Sequence, residues 1–310
     1  MMSRAFRAVA TATILLLLAA CTDGETSPTP SASASESAPD ATESAAAASC
    51  ATESLATKTA GTLTVGTDNP AFPPYFSDAT QTDPWEFGDP TNGQGFESAI
   101  AYALAEQLGF SEDQVTWVAV PFNNAIAPGP KDFDVYLAQV SYTDERTEAV
   151  DLSEGYFFSN QALVTLADSP LADATTMAEV AEYRLGAAGN TTSLTYIEER
   201  IQPSEEFRVY EDNTGVKLGL EAGPEQIVGA VFDLATAFYI VNVEMEDGVV
   251  VGQLPSDPED QEHFSFVLDL DSPLTDCVDE AILTMGENGE LDSIAAEWLA
   301  DYVNAPQITE

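Results

Sequence analysis

The sequence predicts an α/β fold built from two units. Segments patterned as strands and as helices alternate from residue 61 to residue 303, the signature of an α/β chain. The part able to fold begins near Cys50, leaving about 260 residues, the length of one large domain or two lobes. No internal repeat at solenoid periods is visible.

Gly61–Thr67 is β-branched and alternating, a strand that Asp68-Asn69-Pro70 ends. Residues 71–94 read as loop, punctuated by Pro73-Pro74, Asp89-Pro90 and Asn92-Gly93. Phe96, Ile100, Ala101, Leu104 and Leu108 recur at helical spacing, and Gly109 suits the C-cap. Val115–Val120 and Phe133–Val140 are the next strands. The second unit carries strands at 183–187, 207–210, 227–232 and 249–251, with helices at 175–181, 191–200, 215–220 and 234–241 between them. Residues 264–270 alternate and read as extended. Helices at 275–286 and 290–303 follow, split by Gly286 and Gly289.

The amino terminus reads as an export signal. Arg4 and Arg7 precede an apolar run, Ala8–Ala20, that is too short for a bilayer span of about 20 residues. Leu18-Ala19-Ala20-Cys21 resembles the bacterial lipobox, which implies cleavage before Cys21 and a lipid on its thiol. Residues 21–49 are rich in Ser, Ala, Thr, Pro and Glu and lack the apolar side chains that offset ordering entropy, so they read as a disordered tether. Cys50 and Cys277 remain in an exported chain, where a disulfide is permitted and favoured over two free thiols.

The formal net charge is −44, from 9 Lys and Arg against 53 Asp and Glu. Electrostatics therefore disfavours nucleic acid and anionic lipid surfaces as partners, leaving the membrane to be reached through a lipid anchor only. Between Lys58 and Arg184 the only cations are Lys131 and Arg146, and none follows Lys217. An anionic group on a ligand has few places to bind. No D-x-[DN]-x-[DN]-G loop occurs, and neither a metal nor a cofactor is expected.

The order of several short motifs resembles the family 3 extracellular solute-binding proteins of ABC importers, the polar amino-acid type. The residues that carry it are Leu63-Thr64-Val65-Gly66-Thr67-Asp68, Gly95-Phe96-Glu97, Phe133-Asp134-Val135, Ser141–Arg146 and Val150-Asp151-Leu152-Ser153, then Asn160–Val164, Asn190-Thr191-Thr192-Ser193, Val231-Phe232-Asp233 and Gly289-Glu290-Leu291. The resemblance implies a two-lobed periplasmic-binding-protein-like (type II) fold with two crossing strands near 158–164 and 263–270. Lobe one would hold residues 50–160 and 264–310, lobe two residues 161–263, with a ligand between them and a hinge that closes.

The same resemblance points to the ligand residues. Arg146 would hold a ligand carboxylate, for which a guanidinium offers a planar bidentate fork; the alternative is a surface ion pair with Glu145, Glu148 or Asp151. Asp233 would take a ligand ammonium, the alternative being an N-cap for the following helix. Asp68 would contact the ligand or cap its turn. Thr191 and Thr192 stand at a helix N-terminus suited to a carboxylate, or simply cap it. Asn190 occupies a position where the family usually has Gly. Ser141 and Gln139 would line the edge after the third strand, and Phe72 and Phe122 would flank the ligand's aliphatic part or pack in the core. Departures at 77–94 and 127–132 leave the solute unnamed.

The leading expectation is a lipid-anchored binding protein that captures an amino-acid-like solute and delivers it to an ABC permease, acting as a monomer without chemistry. An enzyme on the same fold, a dehydratase or wall lyase, would need a placed acid or base. His263, the single His, has no evident partner, and no G-x-S-x-G motif occurs. A ligand sensor for a membrane partner is the third reading.

Overall fold

Strand β1 (Leu63–Thr67) is buried along all 5 of its residues, so both of its faces must be covered. It lies between β2 (Val115–Ala119) and β3 (Val135–Tyr136) and pairs with both in parallel. Strand β4 (Asp151–Phe158) and the later β10 (His263–Leu268) complete an antiparallel edge, giving the order β2-β1-β3-β10-β4. The computed structural model describes residues 50–77, 82–256, 261–300 and 305–310. The signal 1–20, the lipobox Cys21 and the tether 21–49 lie outside the described residues.

Helix α1 (Phe96–Gln107) packs Phe96, Ile100 and Leu104 under β1. It starts at Gly95, whose φ of 96° and whose closeness to the Phe76 backbone both exclude a Cβ. That contact seats the loop carrying Phe72, Tyr75 and Phe76 against the lobe. The short α2 (Phe122–Ala125) and the cluster of Phe133, Tyr136, Val140 and Val150 cover the other face.

The second sheet repeats this plan. Its strands are β5 (Gln161–Leu166), β6 (Leu185–Ala188), β7 (Arg208–Tyr210), β8 (Gly229–Asp233) and β9 (Gly248–Gln253), in the order β7-β6-β8-β5-β9. Strands β6, β7 and β8 are parallel, and β5 runs antiparallel to both β8 and β9. Helices α3 (Met177–Val180), α4 (Thr192–Tyr196), α5 (Asn213–Glu221) and α6 (Leu234–Tyr239) flank it. The chain then returns to the first lobe as β10, α7 (Thr275–Glu287) and α8 (Glu290–Trp298).

Several elements differ from the sequence expectation. The third strand pairs only over Val135–Tyr136, because Gln139 takes a φ of 50° and leaves the ladder before Val140. Helices α4 and α6 each pass into a wider π-turn, at Ile197–Ile201 and Ile240–Glu244. The last helix ends at Trp298; residues 301–304 lie outside the described residues.

The chain passes from the first sheet to the second at Ser159-Asn160, between β4 and β5. The return to the first sheet precedes His263 and does not run through 263–270 as expected, because residues 263–268 are laddered to β4 and belong to the first sheet. The chain end also departs from the assignment of residues 264–310 to lobe one. Gln307 bridges to Gln253, Thr309 bridges to Thr176, and Ile308 is buried in the core of the second lobe. Residues 307–309 therefore lie on the second lobe.

Cys50 and Cys277 form a disulfide with a sequence separation of 227 residues. It ties the entry of the folded chain to α7. Cutting so long a loop from the unfolded ensemble is worth about 5 kcal/mol in the chain-entropy model. Urea unfolding of the Cys50→Ser, Cys277→Ser double variant is expected to show a loss of that order, with the first lobe still folding.

Candidate functional site

The carboxyl ends of the parallel strands in the two sheets face one another, the place where open α/β sheets bind ligands. Asp68 follows β1, Phe122 follows β2, and Ser141 follows β3. From the second lobe, Thr191 and Thr192 follow β6, Glu211 and Asp212 follow β7, and Asp233 ends β8. All of these line one cavity of about 350 Å³, within the range of small-molecule sites. Every ligand residue expected from sequence borders it, Phe72, Gln139 and Arg146 included.

Arg146 spans the cleft. Its Nη1 donates to the Ser141 carbonyl in the first lobe, and its Nη2 donates to the Asn190 carbonyl in the second at 2.8 Å. Its Cζ lies 5.6 Å from the centre of the Phe122 ring, a cation–π contact. Burial draws its pKa below the ordinary value, while the fields of Glu262 and Glu145 oppose that shift. Asn190 presents its carbonyl from a left-handed conformation, φ 60°, which Asn tolerates better than most residues. Its side chain also donates to Asn123 across the cleft, at 3.0 Å.

Asp233 serves two ends. Its Oδ1 caps α6 by accepting from the Thr236 N–H at 3.0 Å, and it accepts from the Tyr75 hydroxyl at 2.5 Å. Burial raises its pKa, the Thr236 and Tyr75 bonds resist, and Glu262 adds to the rise. Asp68 accepts from the Asn69 N–H at 2.8 Å, so it closes its turn while bordering the cavity, and burial raises its pKa too.

The two threonines divide their work. Thr191 caps α4, accepting from the Leu194 N–H and donating to the Ala188 carbonyl. The Thr192 hydroxyl instead meets Ser141 at 3.3 Å and donates to Glu262 at 2.5 Å. Phe72 reaches from the first lobe to pack on Tyr239 of the second, with ring centres 6.0 Å apart.

Glu262 and Gln161 were missed as site residues. Glu262 lies on the second crossing and accepts hydrogen bonds from Ser141, Thr192 and Gln161. The misplaced crossing hid it; the polar run Gln261-Glu262-His263 just before an alternating strand was the available signal.

The family model for bacterial extracellular solute-binding proteins, family 3, matches residues 63–301. The chain belongs to that family. Among its relatives is the arginine-binding extracellular protein ArtP of Bacillus subtilis (strain 168), 24% identical over 219 residues, which are 69% of this chain and 81% of the relative. Another is the octopine-binding periplasmic protein of Rhizobium meliloti, 28% identical over 202 residues, 57% of this chain and 66% of the relative. The crystal structure of an ancestral amino acid-binding protein, a precursor of cyclohexadienyl dehydratase, shares the fold with a TM-score of 0.60. It is 22% identical, and the match covers 77% of this chain and 95% of that one.

Behind the cavity, Glu97 is fully buried. It accepts from the Tyr156 hydroxyl at 2.5 Å, from the Gln139 N–H at 2.7 Å and from the Gln139 side chain. These bonds explain the Gln139 backbone and hold its amide on Glu97 at the cavity wall. Burial nevertheless wins and raises the Glu97 pKa to about 7, with the Asp233 field adding to it. An acid whose folded pKa is raised stabilises the fold below its unfolded value, near 4.5, and loses that contribution as pH climbs through about 7. The loss is roughly 3 kcal/mol in full. Denaturant unfolding at a series of pH values from about 5 to about 8 is expected to show stability falling with pH, and Glu97→Gln is expected to flatten that slope.

Proposed function

We propose that this protein captures a small cationic amino acid or amino-acid-like solute between its lobes, outside the cytoplasmic membrane, and delivers it to an ABC permease while a lipid on Cys21 holds it to the membrane surface. One observation carries the choice of a cationic solute. Asp68, Glu211, Asp212, Asp233 and Glu262 border the cavity, against Arg146 as the one basic residue among those bordering it. A cleft of one sign with low-dielectric walls focuses its field and concentrates the opposite charge. The relatives named for arginine and octopine support the same solute class.

In this reading Asp233 takes the solute's ammonium, with Tyr75 fixing the carboxylate. The partly buried faces of Phe72 and Phe122 flank the aliphatic stem. Arg146 keeps N–H groups beyond those given to Ser141 and Asn190, and these anchor an anionic group. The lobes are joined by hydrogen bonds from Tyr75 to Asp233 and from Arg146 to Asn190, so closing on a solute completes the pocket. Relatives named for binding favour capture over chemistry.

Ligand-induced thermal shift tests the solute class. Arginine or lysine at a hundred times Kd is expected to stabilise the protein by about 2.7 kcal/mol, whereas glutamate leaves it unshifted. Asp233→Ala is expected to weaken arginine binding at least tenfold by calorimetry. A shift with glutamate and none with either cation contradicts the reading.

A further inference from the structure

Glu262 is held in an unusual way for an acid in an acidic cleft. Its Oε1 accepts from the Ser141 and Thr192 hydroxyls, the latter at 2.5 Å, and its Oε2 accepts from Gln161 Nε2 at 2.7 Å. The donors come from three separate segments: the loop after β3, the N-terminus of α4, and the start of β5. Gln161 is itself oriented, since its amide oxygen accepts from the Ser193 hydroxyl at 2.6 Å. The half-buried carboxylate also lies in the field of Arg146. Two hydroxyls, an amide N–H and a neighbouring guanidinium form a carboxylate cradle, and a side chain of the protein fills it.

The cradle, with Arg146 beside it, is the part of this cavity best suited to an anion among the described residues. Arg146 is the single base among the bordering residues, and Asp68, Asp233, Glu211 and Asp212 repel negative charge elsewhere. A carboxylate on the solute must therefore compete with Glu262 for Ser141, Thr192 and the field of Arg146, and two carboxylates side by side repel each other. A cation that carries no carboxylate meets no such competition. It gains instead from a second acid beside Asp233, close enough for each to feel the other's charge.

We propose that Glu262 is a specificity-determining residue: its carboxylate occupies the cleft's carboxylate cradle, biasing the site against solutes that bear a carboxylate and toward amines and guanidines that lack one. The proposal rests on the cationic-solute reading above and narrows it. Glu262 sits on the second crossing, so the same side chain that fills the cradle also joins the hinge to both lobes.

The test compares arginine with its decarboxylated counterpart agmatine by calorimetry, in the wild-type protein and in Glu262→Ala. Agmatine is expected to bind the wild type at least as tightly as arginine does. Removing Glu262 opens the cradle, and the ratio of the two affinities is expected to move at least tenfold toward arginine. Glu262→Gln keeps the volume and one acceptor oxygen while removing the charge. It guards against a misfolded alanine variant and is expected to move the ratio in the same direction. A ratio that stays within about threefold of wild type in both variants, checked as folded by circular dichroism, overturns the proposal alone. Failure of both cations to bind the wild type overturns the cationic-solute reading and this one with it.

Discussion

One guanidinium joins the halves of this molecule. Arg146 gives one amino group to a carbonyl of the first lobe and the other to a carbonyl of the second, over the face of Phe122. In a chain with so few cations, no second residue bordering the cavity can take its place. The cost of burying it is visible in its lowered pKa, and the surrounding acids keep it ionised. The Tyr75 to Asp233 bond stands beside this link, and Ser141 of the first lobe and Thr192 of the second both donate to Glu262.

Behind that link stands a layer of buried acid. Glu97 fixes Gln139 in a left-handed backbone conformation, and that conformation ends β3 early enough for the chain to turn and present Ser141 and Arg146. Asp233 and Glu97 lie in each other's field, and the Tyr75 ring is packed in the core near both. Structure and charge are therefore coupled at the cavity wall. The acids that shape the site are destabilised by one another and held by specific hydroxyl and amide donors.

Much of this was legible in the sequence. Patterning placed most strands and helices, because the large apolar residues of α1, Phe96, Ile100 and Leu104, recur at helical spacing and β1 is a short β-branched run bounded by turn residues. Several residues bordering the cavity were legible through the ordered motifs, and Asp68, Ser141, Thr191, Thr192 and Asp233 among them stand at or just beyond strand ends. Distribution of labour was not legible. Thr191 and Thr192 are chemically alike, and only the three-dimensional path shows that the first caps a helix while the second meets Glu262. Glu262 itself was hidden because an alternating run, 263–268, reads the same whether it crosses between lobes or pairs with β4. The return of the tail to the second sheet rests on Ile308 and two isolated bridges, too short a signal for periodicity.

Arg146 links a carbonyl of one lobe to a carbonyl of the other. Spin labels at exposed Asp113 in the first lobe and exposed Glu221 in the second report their separation by pulsed dipolar spectroscopy. Arg146→Ala is expected to lengthen and broaden the inter-lobe distance distribution relative to the otherwise identical labelled protein. An unchanged, narrow distribution in the variant contradicts the role given to this residue.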